Sequence, residues 1–103
     1  MSKINKISVL IPCYNEENTI SQVIIKVERS LLNLNIDFEI IVIDDCSSDD
    51  SLNIAKEIAR DFQFVTLLQT KKNLGKGHAL DLAMGSIKTS HAIVHDADLE
   101  YFP

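Results

Sequence analysis

The run Phe38-Glu39-Ile40-Ile41-Val42-Ile43 constrains the chain more than any other stretch. It is apolar and β-branched almost without a break, and it stops at Asp44-Asp45. A strand with one wet face alternates apolar and polar side chains. A strand without that alternation is buried on both faces, the usual state in a parallel sheet sandwiched between helices.

The flanking segments supply such a sandwich. Ile7-Ser8-Val9-Leu10-Ile11 is a short β-rich run before Pro12, where a strand is expected to end. Asn15-Glu16-Glu17-Asn18 reads as a helix start, a capping side chain and then acids in the first turn. Ile20, Val23, Ile24, Val27 and Leu31 follow at helical spacing, with Lys26, Glu28 and Arg29 between them. Cys46 to Ser51 is turn chemistry able to cap a second helix, whose apolar side is Leu52, Ala55, Ile58 and Ala59. Phe64 to Leu68 reads as a third strand. A third helix carries Leu80, Ala83, Met84 and Ile87, and residues 92–95 form a fourth strand.

The order βαβαβαβ predicts an α/β fold, a Rossmann-like three-layer α/β/α sandwich with a mostly parallel sheet. At 103 residues there is room for one small domain, so residues 1–103 are read as a single unit. No apolar run approaches the roughly 20 residues of a membrane span. The N-terminus does not read as a signal peptide. Cys13 and Cys46 match no zinc spacing, so reduced thiols that pack rather than catalyse, in a cytoplasm, are expected. A net charge of −5 without a lysine/arginine block argues against nucleic-acid binding.

Ligands of such a sheet bind outside the carboxyl ends of its strands. Those ends hold Pro12–Glu16, Asp44–Ser48, the loop from Gln69 to Gly77, and His95–Glu100. Asp96, Asp98 and Glu100 alternate, so in an extended segment their oxygens share one side. Hard divalent cations such as Mg²⁺ or Mn²⁺ favour such ligands, and a cation held there can bridge a diphosphate. The bland reading is a solvated acidic turn. Asp44 and Asp45 end a buried strand, where a carboxylate needs donors. A nucleobase N–H or ribose hydroxyl fits, and so does helix capping shared with Ser47 or Asp49. Tyr14 is suited to stacking on a base or to ordinary packing. Glu16 is suited to ribose hydroxyls or to the helix N-terminus. Gly75-Lys76-Gly77 before a helix suits a phosphate but lacks P-loop spacing. His78 and His91 read as surface residues, and His95 as either a neighbour of the acidic cluster or a strand end without a role.

These motifs occur in a specific order: Ile7 to Glu17, Ile43-Asp44-Asp45-Cys46-Ser47-Ser48-Asp49, Asn73-Leu74-Gly75-Lys76-Gly77-His78-Ala79, and Asp96-Ala97-Asp98-Leu99-Glu100-Tyr101. The series resembles the inverting family 2 glycosyltransferases of GT-A fold, especially the polyprenyl-phosphate mannosyl- and glucosyltransferases. The resemblance spans essentially the whole chain. It implies the nucleotide-sugar-binding, N-terminal half of such an enzyme, ending after the DXD motif. Pro12, Tyr14 and Glu16 match the nucleoside-contacting segment. Asp44 and Asp45 match an acidic pair, one member of which reads the base. Lys76 matches the basic position near the phosphates. Asp96 and Asp98 match the DXD motif, with Glu100 as a further metal contact and Asp96 also on the donor side.

The implied cofactor is Mg²⁺ or Mn²⁺, the donor a UDP- or GDP-sugar, and the acceptor a lipid phosphate or glycan. The resemblance places the enzyme at the cytoplasmic face of a membrane, reached through a C-terminal region. His95 stands where glutamine is frequent, Cys46 where glycine is common, and Phe102 where aspartate often precedes the proline. No residue is assignable as the general base. The 103 residues alone are expected to bind nucleotide and metal weakly and to transfer little. The rival class is a non-catalytic nucleotide-binding or oligomerising module, in which a homodimer covers the sheet edge.

Overall fold

A computed structural model describes residues 6–73, 75–85, 87, 89 and 91–95. The order is β1 (Lys6–Cys13), α1 (Ile20–Asn33), β2 (Asp37–Asp44), α2 (Ser51–Asp61), β3 (Val65–Gln69), α3 (Lys76–Met84) and β4 (His91–Val94). All pairings are parallel, and the sheet runs β3-β2-β1-β4. The expected fold class is the one observed.

The continuous apolar run does what its pattern predicts. Ile40, Ile41, Val42 and Ile43 are all at most 2% exposed. In register with them, β1 sorts its side chains by parity. Ile7, Val9, Ile11 and Cys13 join Ile40 and Val42 under α1 and Ala55 of α2. Leu10 joins Ile41 and Ile43 under Ala79 and Ala83 of α3. Helices thus cover both faces. Each fully buried Leu or Ile stabilises the fold by about 1.5–3 kcal/mol relative to exposure.

Several boundaries differ from expectation. β1 continues through Pro12 to Cys13. Backbone groups of alternate residues face opposite neighbours. The Leu10 carbonyl accepts from the His95 amide on the β4 side, and the Cys13 carbonyl from the Asp45 amide on the β2 side. Pro12 shares the parity of Leu10, so its missing N–H falls beyond the last β1–β4 pair, Leu10↔Val94, and the β2 ladder loses nothing.

The five predicted apolar residues of α1 are all buried, but its N-cap is Thr19, without a side-chain cap bond and without acids in the first turn. Asn15 has another task, described below. Asn35 ends α1 in left-handed backbone (φ 56), its amide returning to Leu32 and that of Ile36 to Leu31. On α2, Ile54 packs on the core beside Ala55, Ile58 and Ala59. α3 is shorter than its pattern suggested. It buries Ala79 and Ala83, leaves Met84 57% exposed, and ends before Ile87. β4 begins one residue early, and as an edge strand all four of its residues are exposed. Among the described residues no helix is long and apolar enough to cross a membrane.

Candidate functional site

The strand order fixes where the crevice lies. The chain runs outward from β1 through β2 to β3, then returns across the sheet to place β4 on the other side of β1. The reversal falls between β1 and β4, the topological switch point whose carboxyl side accommodates ligands in open α/β sheets. The loops leaving β1, β2 and β3 all emerge at that edge.

The β1–α1 and β2–α2 loops are stitched together by their polar groups. β1 and β2 end in register, Cys13 opposite Asp44, so the two loops leave side by side. The amides of Asn15, Glu16 and Glu17 donate to Ser47 Oγ (3.0 Å), Ser51 Oγ (2.7 Å) and Asp49 Oδ2 (3.2 Å). In return Asn15 Oδ1 accepts from the amides of Ser48 (2.8 Å) and Asp49 (3.3 Å). Asp49 is thereby held below its ordinary carboxylate value. Burial works to raise it, but hydrogen bonds from the Ser51 hydroxyl and amide and from Glu17 outweigh that.

Asp44 and Asp45 are both buried, and each has found donors. Asp44 accepts the Ser47 amide on Oδ2 (3.1 Å) and the Ser47 hydroxyl on Oδ1 (2.6 Å), a local turn of the capping kind. Asp45 reaches the third loop. Its Oδ2 accepts the Gly75 amide at 2.8 Å. The Thr70 hydroxyl lies 2.9 Å from Asp45 Oδ1 and 2.8 Å from the Lys72 carbonyl, two acceptors for one proton. Gly75 stands at φ 88, a conformation that favours glycine, immediately before α3. Asp45 therefore sets the loop that delivers the N-terminus of α3 to this edge. A nucleobase contact to either acid would add to these bonds.

Of the other expected site residues, Pro12 is half-buried at the end of β1, Tyr14 is 46% exposed just beyond it, and Glu16 is half-buried with Thr19 Oγ1 3.3 Å from its carboxylate. The backbone of Lys76 opens α3 on the same edge, and its side chain lies outside the described residues. Asp96, Asp98 and Glu100 also lie outside them. His95 precedes that cluster, anchored by its amide to Leu10 (2.9 Å) at the switch point. Among the described residues no group of three His, Cys, Asp or Glu is placed to hold a metal ion. Asn15, Ser51 and Thr70 were not anticipated as site residues. The available signal for Asn15 was its residue type, since asparagine is the side chain that best tolerates left-handed backbone in a turn.

A family model described as glycosyl transferase family 2 matches residues 8–103. The chain belongs to glycosyl transferase family 2. A relative in this family, the undecaprenyl-phosphate 4-deoxy-4-formamido-L-arabinose transferase of Proteus mirabilis, is 34% identical over 102 residues, covering 98% of this chain and 31% of its own length. Two solved family folds are similar. TarS of S. aureus in complex with UDP-GlcNAc has a TM-score of 0.74 at 28% identity, over 90% of this chain and 26% of that one. Glucosyl-3-phosphoglycerate synthase of Mycobacterium tuberculosis, in complex with Mn²⁺, UDP-glucose and phosphoglyceric acid, has a TM-score of 0.69 at 29% identity, over 91% and 33%. The family 2 chain thus spans about a quarter to a third of the length of these proteins.

Proposed function

We propose that this chain is the donor-binding part of an inverting glycosyltransferase that moves a hexose from a UDP- or GDP-sugar to a lipid phosphate or related acceptor. The observation that supports it most is the meeting of three polar loops along the carboxyl edge of the sheet, beside the β1/β4 switch point, in a chain of this family. Tyr14, Glu16, Asp44, Asp45 and the N-terminus of α3 all lie on that edge. Relatives and neighbours add the classes of ligand, since their printed names include undecaprenyl phosphate, UDP-GlcNAc and UDP-glucose with Mn²⁺.

In this reading Tyr14 stacks on the base, Glu16 accepts from the ribose, and one of Asp44 and Asp45 reads a base N–H. Pro12 shapes the turn beneath them. The α3 N-terminus and Lys76 serve the diphosphate, since a helix N-terminus and a lysine both suit anionic oxygen. Asp96, Asp98 and Glu100 are hard oxygen donors and fit Mg²⁺ or Mn²⁺, which when bound offsets charge on the departing diphosphate. Transfer itself forms a bond from acceptor oxygen to the anomeric carbon and breaks the bond from that carbon to the diphosphate. The nucleoside diphosphate leaves with the electron pair. A phosphate acceptor arrives anionic, so its positioning matters more than its deprotonation. The chain by itself is expected to bind donor and to transfer little. The full protein would work at the cytoplasmic face of a membrane.

Amide chemical-shift mapping with UDP and GDP in the presence of Mg²⁺ tests the location. Shifts are expected at Tyr14, Glu16, Asp45, Ser47 and Gly75. Shifts confined to the opposite end of the sheet, around Ile36, Phe38 and Phe64, would refute the assignment.

A further inference from the structure

We infer that Asn15 is a positioning residue for nucleotide binding, a neutral clamp that fixes the β1–α1 loop against the β2–α2 loop. The inference rests on the donor-site reading above and goes beyond it, since Asn15 is not among the residues expected to touch ligand. Asn15 sits between Tyr14 and Glu16, the two side chains assigned to the nucleoside. Its backbone is left-handed (φ 53), and its amide donates to Ser47 Oγ at 3.0 Å. Its side-chain oxygen accepts from the Ser48 amide (2.8 Å), the Asp49 amide (3.3 Å) and Ser48 Oγ (3.3 Å). The acceptor must be Oδ1, because backbone N–H groups only donate.

Ser47, tied to Asn15 on one side, holds both carboxylate oxygens of Asp44 on the other. One residue therefore links Tyr14 and Glu16 to the acid that ends β2. Three properties are needed together: tolerance of positive φ, an acceptor one side chain away, and no charge. Glycine has the first and third. Aspartate has the first two. The neutrality matters because Glu16, Glu17, Asp44, Asp45, Asp49 and Asp50 already surround an edge that must receive a diphosphate. Asparagine alone meets all three.

The test uses Asn15→Gly and Asn15→Asp, with UMP, UDP and GDP as probes. Amide exchange at Ser48 and Asp49 is read by NMR, and affinity by titration with Mg²⁺. Asn15→Gly keeps the backbone and removes the acceptor. Exchange at both amides should rise, and affinity for UMP and UDP (or GDP, if the wild type selects it) should fall by the same factor, about tenfold, the scale of one to two net hydrogen bonds. The response to Mg²⁺ should be unchanged, because the nucleoside end is what loosens. Asn15→Asp should keep both amides protected. It should bind weakly at low salt and recover towards the wild type at about 0.5 M salt, where surface charge is screened. Wild-type affinity in Asn15→Gly, or amides as unprotected in Asn15→Asp as in Asn15→Gly, would overturn the inference. A wild-type chain that binds none of the probes would instead remove the donor-site reading and with it the role in binding. The exchange data alone would then report whether the clamp exists.

Discussion

Cys46 occupies left-handed backbone at φ 61, alongside Asn15 and Asn35 among the described residues. Asparagine suits that region and cysteine does not. The resemblance had marked this position as one where glycine is common, and the backbone supplies the reason. The Cys46 side chain is exposed, and its contact with the Lys71 carbonyl is long, at 3.9 Å. Cys46→Gly should therefore relieve about 1–2 kcal/mol of strain against about 0.5–1 kcal/mol of added chain entropy when unfolded. A small rise in the urea midpoint is expected, and a fall would contradict this account of the loop. The other cysteine behaves differently. Burial pushes the Cys13 thiol from 9.0 up to about 12, with the charges of Asp44 and Glu16 adding to it and hydrogen bonds with Ser51 and the Glu16 backbone opposing it. A folded value above the unfolded one means that stability is full below pH 9.0 and is lost as pH rises towards about 12. Urea denaturation should show stability level up to pH 9.0 and then declining by on the order of 1 kcal/mol per pH unit, a decline absent in Cys13→Ala.

The elements of this fold were legible wherever burial follows a period. Ile40–Ile43 announced a doubly buried strand, and the α1 stripe of Ile20, Val23, Ile24, Val27 and Leu31 is buried as spaced. What escaped the sequence is what depends on partners far along the chain. Pro12 fits inside β1 because of the direction its backbone faces. Met84, the last residue of α3, stays exposed, while Ala79, Ala83 and the partly buried Leu80 meet the sheet. Asn15 looked like a helix cap, and its real partners lie more than thirty residues away in the next loop. Asp45 belongs to the same class. Its hydrogen bond to Gly75 joins the end of β2 to the start of α3, thirty positions apart. Asp45→Ala would leave the Gly75 amide only its longer bond to Asn73 Oδ1 (3.1 Å) and the Thr70 hydroxyl only the Lys72 carbonyl. A loss of about 1–3 kcal/mol is expected in denaturation, with faster exchange at Gly75 and little change within α1. Unchanged exchange at Gly75 would show that Asp45 does not order this loop.

For the molecule as a whole, charge is the decisive quantity. The net charge is −5, and acids are concentrated where the strands end. Asp45 and Asp49 accept hydrogen bonds from neighbouring loops, and Asp44 accepts from Ser47 of its own loop. Asp96, Asp98 and Glu100 follow at once after β4 in sequence. An edge of that sign repels a diphosphate unless a cation stands between them, so donor binding here should be metal-dependent. The expectation for those three carboxylates comes from alternation and residue type alone, without any distant partner, and they lie outside the described residues.

Calorimetric titration of UDP-glucose and GDP-mannose, with and without Mn²⁺, on the wild type and Asp98→Ala tests this most directly. The wild type should bind one of the two donors with Mn²⁺. Affinity should fall at least about tenfold, or about 1.4 kcal/mol, when Mn²⁺ is withheld or Asp98 is replaced. Equal binding with and without the metal, or no binding of either donor, would contradict it and leave the non-catalytic module as the better reading.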